Sequence, residues 1–296
     1  MIMNIVERKK MISVQFDSIL ELMDYKPTLN LKDFEYSMDG RTSYDKFGST
    51  NVTAKDVINH ALLGDSKLYE NQLKNKVRWL DTESGYYTTD YQQQIKVVKR
   101  KVKYTDFGDE IDIHKVYRGE IGTAWRKTER VEIDSKLHLV TLLVDIGGHW
   151  GQDADDSLWR ASVVVKIVRD LENAGKSVRV VVGTVSENVT RSNKMVATSI
   201  VVKEYNTSLP LERLAAMCNL GFRRTAGFAC NYCVEEELHD GLGTPTNISH
   251  SNLPWQLKDE EDAGHTKFVI IGRASSSYQA KDKLQEAYDQ MKSFSD

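Results

Sequence analysis

Residues 137–144 read LHLVTLLV, and residues 178–182 read VRVVV. Each is a short apolar run rich in β-branched residues, the composition of a strand covered on both faces. Between them lie a loop, 145–156, and then Leu158, Ala161, Val165, Val168 and Leu171 at helical spacing. Gly175 stands where this helix should stop, because glycine readily takes the backbone that ends a helix. Strand, loop, helix and strand in succession make a βαβ unit, the repeating element of a parallel α/β sheet.

The pattern continues toward the C-terminus. Residues 195–205 predict a third strand. Pro210 suits the first turn of a helix reaching about Leu220, since that position leaves its N–H unused. Residues 268–272 predict a short late strand, and 277–294 a closing amphipathic helix. On the other side, 119–136 is charged and contains Gly119 and Gly122, which suggests a junction. The expected organisation is therefore an α+β region over 1–130 and an α/β domain over 131–296. The latter should be a Rossmann-type, mainly parallel sheet with helices on both faces.

The first region is less regular. Ile12, Phe16, Ile19, Leu20 and Met23 recur at helical spacing until Pro27, so residues 1–30 predict a short amphipathic helix. Residues 31–50 are polar loop. Thr53 is a natural N-cap for a helix stopping at Gly64. Residues 66–80 predict another helix, ending near Trp79. Strand-forming residues fill 86–118. Within them 95–104 (IKVVKRKVKY) alternates without a clean apolar face, as an edge strand does.

Bulk composition narrows the class. Apolar residues are 40% and charged residues 28% of 296, the balance of a folded globular chain. No apolar run reaches the ~18 residues of a membrane span. The first ten residues place apolar before basic, the reverse of a secretory signal. Three cysteines, an odd number, fit a reducing compartment. A cytoplasmic protein without membrane contact is expected. The net charge of −3 excludes a generic polyanion binder, but charge is unevenly placed. Residues 95–104 hold five basic residues and no acid, whereas 235–262 hold eight acids and one lysine.

Four stretches could carry chemistry. Tyr86, Tyr87, Tyr91, Lys96, Lys99, Arg100, Lys101, Lys103 and Tyr104 combine cations for phosphates with rings for bases, the footprint of single-strand binding. Arg118, Trp125, Arg126 and Lys127 extend it. The competing assignment is a solvated edge strand. Cys218, Cys230 and Cys233 with His239 could form a zinc site, although one C-x2-C pair more often marks buried thiols. The loop Gly147–Gly148–His149–Trp150–Gly151 ends the first strand of the βαβ unit, where α/β folds bind ligands. Asp145, His149 and Trp150 could there meet a partner, or the glycines could simply permit a turn. Arg223–Arg224 could hold phosphate or a carboxylate, or could complement a helix C-terminus. The acidic, Pro- and Gly-interrupted excursion over 235–262 suggests a solvated loop or a docking surface for a basic protein. No G-x-S-x-G, H-E-x-x-H or nucleophile–base pairing occurs, so neither catalysis nor a cofactor is expected.

Strand, Asp145, helix, DLENAGKSVRVVV (170–182) and IVVKEYNTSLPLERLAAMCNLGFRR (200–224) together resemble a group of phage proteins with a von Willebrand A-like domain. STNVTAKDVINHALLG (49–64) and DIHKVYRGEIGTAW (112–125) resemble that group's N-terminal half. The resemblance covers about 47–290 and rests on apolar pattern plus a few Gly, Pro and Arg positions. Domains of that kind bind a divalent ion through Asp-x-Ser-x-Ser, hydroxyls and carboxylates being the hard ligands such ions prefer. Here Asp145 keeps the first position, but Gly147 and His149 replace the serines, so no tight metal site is expected. Asp153, Asp155 and Asp156 are the remaining oxygen sources. Size and basic-aromatic content also resemble the single-stranded-DNA-binding cofactors of Schitoviridae podophages. That resemblance implies a DNA-binding transcription cofactor that recruits a phage RNA polymerase in the host cytoplasm. The alternative is a von Willebrand A-like protein-interaction module without a working metal site. Self-association stays open under either.

Overall fold

The computed structural model describes residues 4–8, 10–39, 53–64, 72–83, 101–105, 110–120, 125–129, 139–148, 154–174, 176–205, 207–208, 210–218, 220–238, 243–262 and 268–292. For 101–105, 110–111, 125–129, 154–156 and 220 only the backbone is described.

The apolar runs form the centre of an α/β fold. Strands β6 (Leu139–Asp145) and β7 (Ser177–Glu187) pair in parallel, joined through helix α6 (Ala154–Asn173). Strand β10 (Phe268–Ile271) lies parallel to β6 on its other side. Strand β8 (Met195–Lys203) pairs antiparallel to β7, with a register shift between Val180 and Val181. A short strand β9 (Thr244–Thr246) also pairs antiparallel to the far end of β7.

The N-terminus corrects two expectations. Residues expected to be helical form a hairpin, β1 (Asn4–Arg8) and β2 (Met11–Phe16), before a short helix α1 (Ile19–Asp24). β2 runs parallel to β8, giving a seven-stranded sheet in the order β1-β2-β8-β7-β6-β10. All six residues of β2 are buried, so it has the continuous burial of a central strand. Ser13 and Gln15 hid that character by breaking the apolar run. A boundary at 130/131 therefore does not describe this sheet, since its second strand comes from the first twenty residues.

The two faces are covered unequally. On one, Ile12, Val14, Phe16, Val140, Leu142, Val144, Val180, Val182, Val196, Ile200, Val269 and Ile271 join one large core. That core includes residues from α1, α2 (Leu31–Asp39), α3 (Ala54–Leu63), α4 (Lys74–Glu83), α6, α7 (Leu211–Met217) and α11 (Ser277–Lys292), the last two following β8 and β10. It also takes in a continuous helical stretch made of α8 (Leu220–Phe222), a π-helical turn (Arg223–Gly227) and α9 (Phe228–Tyr232). The opposite face, with Met11, Leu143, Val181, Val185, Ala197, Val201 and Phe268, is covered by Ile248, Leu253, Trp255 and Leu257. Its one helix among the described residues is α10 (Trp255–Asp262). Ser13 faces this side, where its hydroxyl accepts from Trp255 N–H (3.0 Å) and donates to Gln256 Oε1.

The acidic excursion is thus a lid on the sheet rather than a free loop. Most of its described acids have partners. Asp259 pairs with Arg8 (2.7 Å), Glu260 with Arg179 (2.8 Å) and Glu237 with Arg191 (2.9 Å). Glu236 pairs with Lys194, while Glu261 and Asp262 pair with Lys258 (3.0 and 3.1 Å). Glu235 accepts from Thr28 (2.9 Å). Local signals elsewhere were read correctly. Thr53 forms a reciprocal capping box with Asp56, and Gly64 ends α3 at φ 92°, a backbone angle costly for any residue with a Cβ.

Residues 101–129 contribute a separate three-stranded sheet. Strand β5 (Trp125–Glu129) pairs antiparallel to β3 (Lys101–Thr105) and to β4 (Glu110–Ile111). Between them the short helix α5 (Ile113–Tyr117) is capped by Asp112, whose carboxylate accepts from His114 N–H.

Candidate functional site

Asp145, at the position of the first ligand of an Asp-x-Ser-x-Ser loop, already has partners for its carboxylate. Asp145 closes β6 and is only 1% exposed. Its Oδ1 accepts from Gly147 N–H (2.8 Å), and its Oδ2 accepts from Arg273 Nε (3.1 Å) and Ile248 N–H (3.3 Å). Arg273 follows β10, the neighbouring parallel strand, and also donates through Nη2 to Thr246 O (2.8 Å). A guanidinium therefore occupies the side of the carboxylate that a cation would need. Asp145 was expected at a partner-contact loop. It is instead an internal anchor joining β6, β10 and the lid.

Two more arginines converge on the same strand end. Arg160, 3% exposed, reaches from the second turn of α6. Its Nε donates to Cys218 O (3.0 Å), and its Nη1 to the carbonyls of Asp145 and Gly147 (both 3.1 Å). Arg223, also 3% exposed, opens the π-helical turn, and its guanidinium lies 4.6 Å from the centre of the Phe228 ring. Its charge is lowered mainly by burial, to a pKa of about 10, and is supported chiefly by Asp145 while Arg273 and Arg160 oppose it. Burial likewise lowers Arg160, again against the pull of Asp145. Three guanidinium groups thus sense one carboxylate.

The alternative roles of Arg223–Arg224 are resolved in part. The helical stretch continues to Tyr232, so these arginines do not complement a helix C-terminus. The cluster as a whole was not foreseen. Arg160 sits in SLWRASVVVKIV, a segment buried almost all round, where a cation is itself a signal, and the other cation there, Lys166, is taken up by Asp81 and Asp170. Arg273 follows FVII at a strand's carboxyl end, the place where α/β sheets bind ligands.

The cysteines do not form a zinc site among the described residues. Cys218, Cys230 and Cys233 are free and buried. Burial pushes the Cys218 thiol up to about 12 and raises Cys230 and Cys233 further, whereas zinc takes the thiolate. Cys233 donates its S–H to Ala229 O (3.2 Å). His239 lies outside the described residues. No group of three or more His, Cys, Asp or Glu side chains suited to a metal occurs among those described. Of the remaining oxygen sources near Asp145, Asp153 is not described, and Asp155 and Asp156 are described by backbone alone.

Tyr86, Tyr87, Tyr91, Lys96, Lys99 and Arg100 lie outside the described residues, as do His149 and Trp150. The rest of the basic-aromatic group is brought together by β3 and β5. Lys103 stands opposite Lys127, Tyr104 opposite Arg126, Thr105 opposite Trp125 and Lys101 opposite Glu129. Arg118, at the end of α5, is exposed and pairs with Glu120 (3.3 Å). No helix among the described residues is long and apolar enough to cross a membrane.

No curated protein and no solved structure matches the chain. The model of a domain family, DUF7192, a domain of unknown function, matches it over residues 4–294. That span runs from β1 to the end of α11, so the hairpin, the small sheet and the arginine-lined strand end fall within one family unit, and the chain belongs to the DUF7192 family.

Proposed function

We propose that the chain is a single-stranded-DNA-binding protein on a von Willebrand A-like scaffold, acting as a phage transcription cofactor that recruits RNA polymerase. The observation that carries this is the register of the small sheet. Lys103 faces Lys127 directly across β3 and β5, and Tyr104 faces Arg126. Like charges directly opposed on adjacent strands destabilise a sheet, and a phosphate between them turns that repulsion into attraction. Successive strand residues alternate between faces, so Tyr104 and Arg126 share the opposite face from the lysine pair, where they would offer a base both a ring and a cation. By composition, residues 86–100 would add further rings and cations to this segment. The body, with its apolar sheet and matched acids, would supply the polymerase contact.

The test is binding of a labelled single strand of about 30 nucleotides, against duplex of equal length, at two salt concentrations. Affinity should favour the single strand and fall with salt as condensed counterions are displaced. Replacing Lys99, Arg100 and Lys101 by Ala should weaken binding across sequences and lower the salt slope by roughly 2, at ~0.7 per lost phosphate contact. Unchanged affinity would refute the assignment.

A second function is favoured by the Asp145–Arg273 pair. An acid at the first metal position that already holds a guanidinium suits a von Willebrand A-like interaction module working without metal. Partner contact would then fall to the loop bearing His149 and Trp150. Loss of a protein partner on Trp150→Ala, with no DNA affinity in the parent, would favour this function over the first.

A further inference from the structure

Arg160 Nη2, Arg223 Nε and Arg223 Nη1 are buried polar atoms with no hydrogen-bond partner among the described residues. They belong to the two most deeply buried arginines of the cluster around Asp145. Buried donors in folded proteins are almost always satisfied, and a buried guanidinium is the most demanding of them. Among the described side chains the charges do not balance either, since three arginines act on one carboxylate whose oxygens already accept from Gly147, Ile248 and Arg273.

The space for these side chains is built in. A Cβ on Gly227 would stand 3.0 Å from Arg223 Cδ and 3.3 Å from its Nη1, so the glycine leaves room for the arginine in this position. A Cβ on Gly147 would run into Arg273 Nη2 and come within 2.8 Å of Asp145 Oδ1. Arg223 also begins a π-helical turn, a geometry that is rare and concentrated at functional sites. The position is the carboxyl end of β6 and β10, beside the N-terminal half of α6, and Arg273, with 14% of its side chain exposed, links it to solvent.

We propose that Arg160, Arg223 and Arg273 form a binding site for a small phosphate-type oxyanion, either free or as the phosphate of a nucleotide. Such a group supplies several acceptor oxygens in the fork geometry that guanidinium groups recognise, and it offsets the two excess positive charges. Asp145 acts as a positioning residue, holding Arg273 in place. The proposal does not depend on nucleic-acid binding by the small sheet. These donors are too deeply buried for the backbone of a polymer to reach.

The test uses the full chain and two readouts, thermal unfolding and calorimetric titration. The probes are inorganic phosphate and a nucleoside monophosphate, each against chloride at equal ionic strength. Phosphate should bind saturably and raise the Tm by on the order of 5 °C at a hundredfold excess over Kd. A nucleoside monophosphate binding more tightly than inorganic phosphate would assign the ligand as a nucleotide. Equal or weaker binding would assign the free ion. Arg223→Met, of similar length and without charge, should abolish the shift, and Arg223→Lys should retain part of it. Absence of a saturable phosphate effect in the parent chain, or an equal effect in a folded Arg223→Met variant, would overturn the proposal.

Discussion

Replacing Asp145 with Asn tests whether its carboxylate serves arginines rather than a metal. The variant keeps the shape but removes the one negative charge that Arg160, Arg223 and Arg273 share. It also turns an acceptor into an NH2 donor in a position where every neighbour donates: Gly147 N–H, Ile248 N–H and Arg273 Nε. Removing one side of a buried ion pair costs ~3–5 kcal/mol, because the remaining charge stays buried and unmatched. Asp145 is 1% exposed, so little solvent screening reduces that figure. Against a total stability of ~5–15 kcal/mol, the loss should move the urea midpoint far down at nearly unchanged slope. A partner variant, Arg273→Met, completes a double-mutant cycle. The two changes should interact by at least ~1.5 kcal/mol, the double variant losing less than the sum of the singles. An Asp145→Asn penalty below ~1 kcal/mol would refute the reasoning, as would a magnesium-dependent rise of the parent's midpoint that the variant lacks.

Two further outcomes follow from the lid and the ion pairs. Leu257→Ala, at a fully buried position of α10, should cost ~2–5 kcal/mol in urea unfolding, whereas a solvated acidic loop would register almost nothing. Acid should also loosen the fold. Burial raises Asp81, but hydrogen bonds from Arg169 and Lys166 outweigh it, holding the carboxyl below its ordinary 3.8. Burial likewise opposes, and Lys194 with Ser192 overcomes, in placing Glu236 below its ordinary 4.5. Both depressed carboxyls contribute stability that is complete above those ordinary values and lost as pH falls through the folded-state values. The urea midpoint should therefore hold from neutrality to about pH 5 and fall below about pH 4, and Asp81→Asn should flatten that fall.

The βαβ centre was legible because β6, β7 and the buried face of α6 are local patterns, each read within a dozen residues. The capping box at Thr53 and the stop at Gly64 were legible for the same reason. β2 was not. Its Ile12 and Phe16, followed by Ile19 of α1, fit a helical period as well as a strand, and only pairing with β8, almost two hundred residues away, chose between them. The acidic excursion failed differently. Its composition is that of a solvated segment, but several of its charges meet cations from distant elements, namely Asp259 with Arg8, Glu260 with Arg179 and Glu236 with Lys194.

By itself, the sequence determined an α/β chain with a buried central strand ending at Asp145, a basic-aromatic stretch and no complete metal loop. Those are properties of residue type and spacing, and they survive without knowledge of contacts. Only the tertiary structure decided what Asp145 touches. Arg160 lies 15 residues beyond it, Arg223 78 and Arg273 128. No local period connects positions so far apart. Parallel strand order brings Arg273 beside β6, α6 carries Arg160 to its end, and the π-helical turn buries Arg223 within electrostatic reach of the same carboxylate.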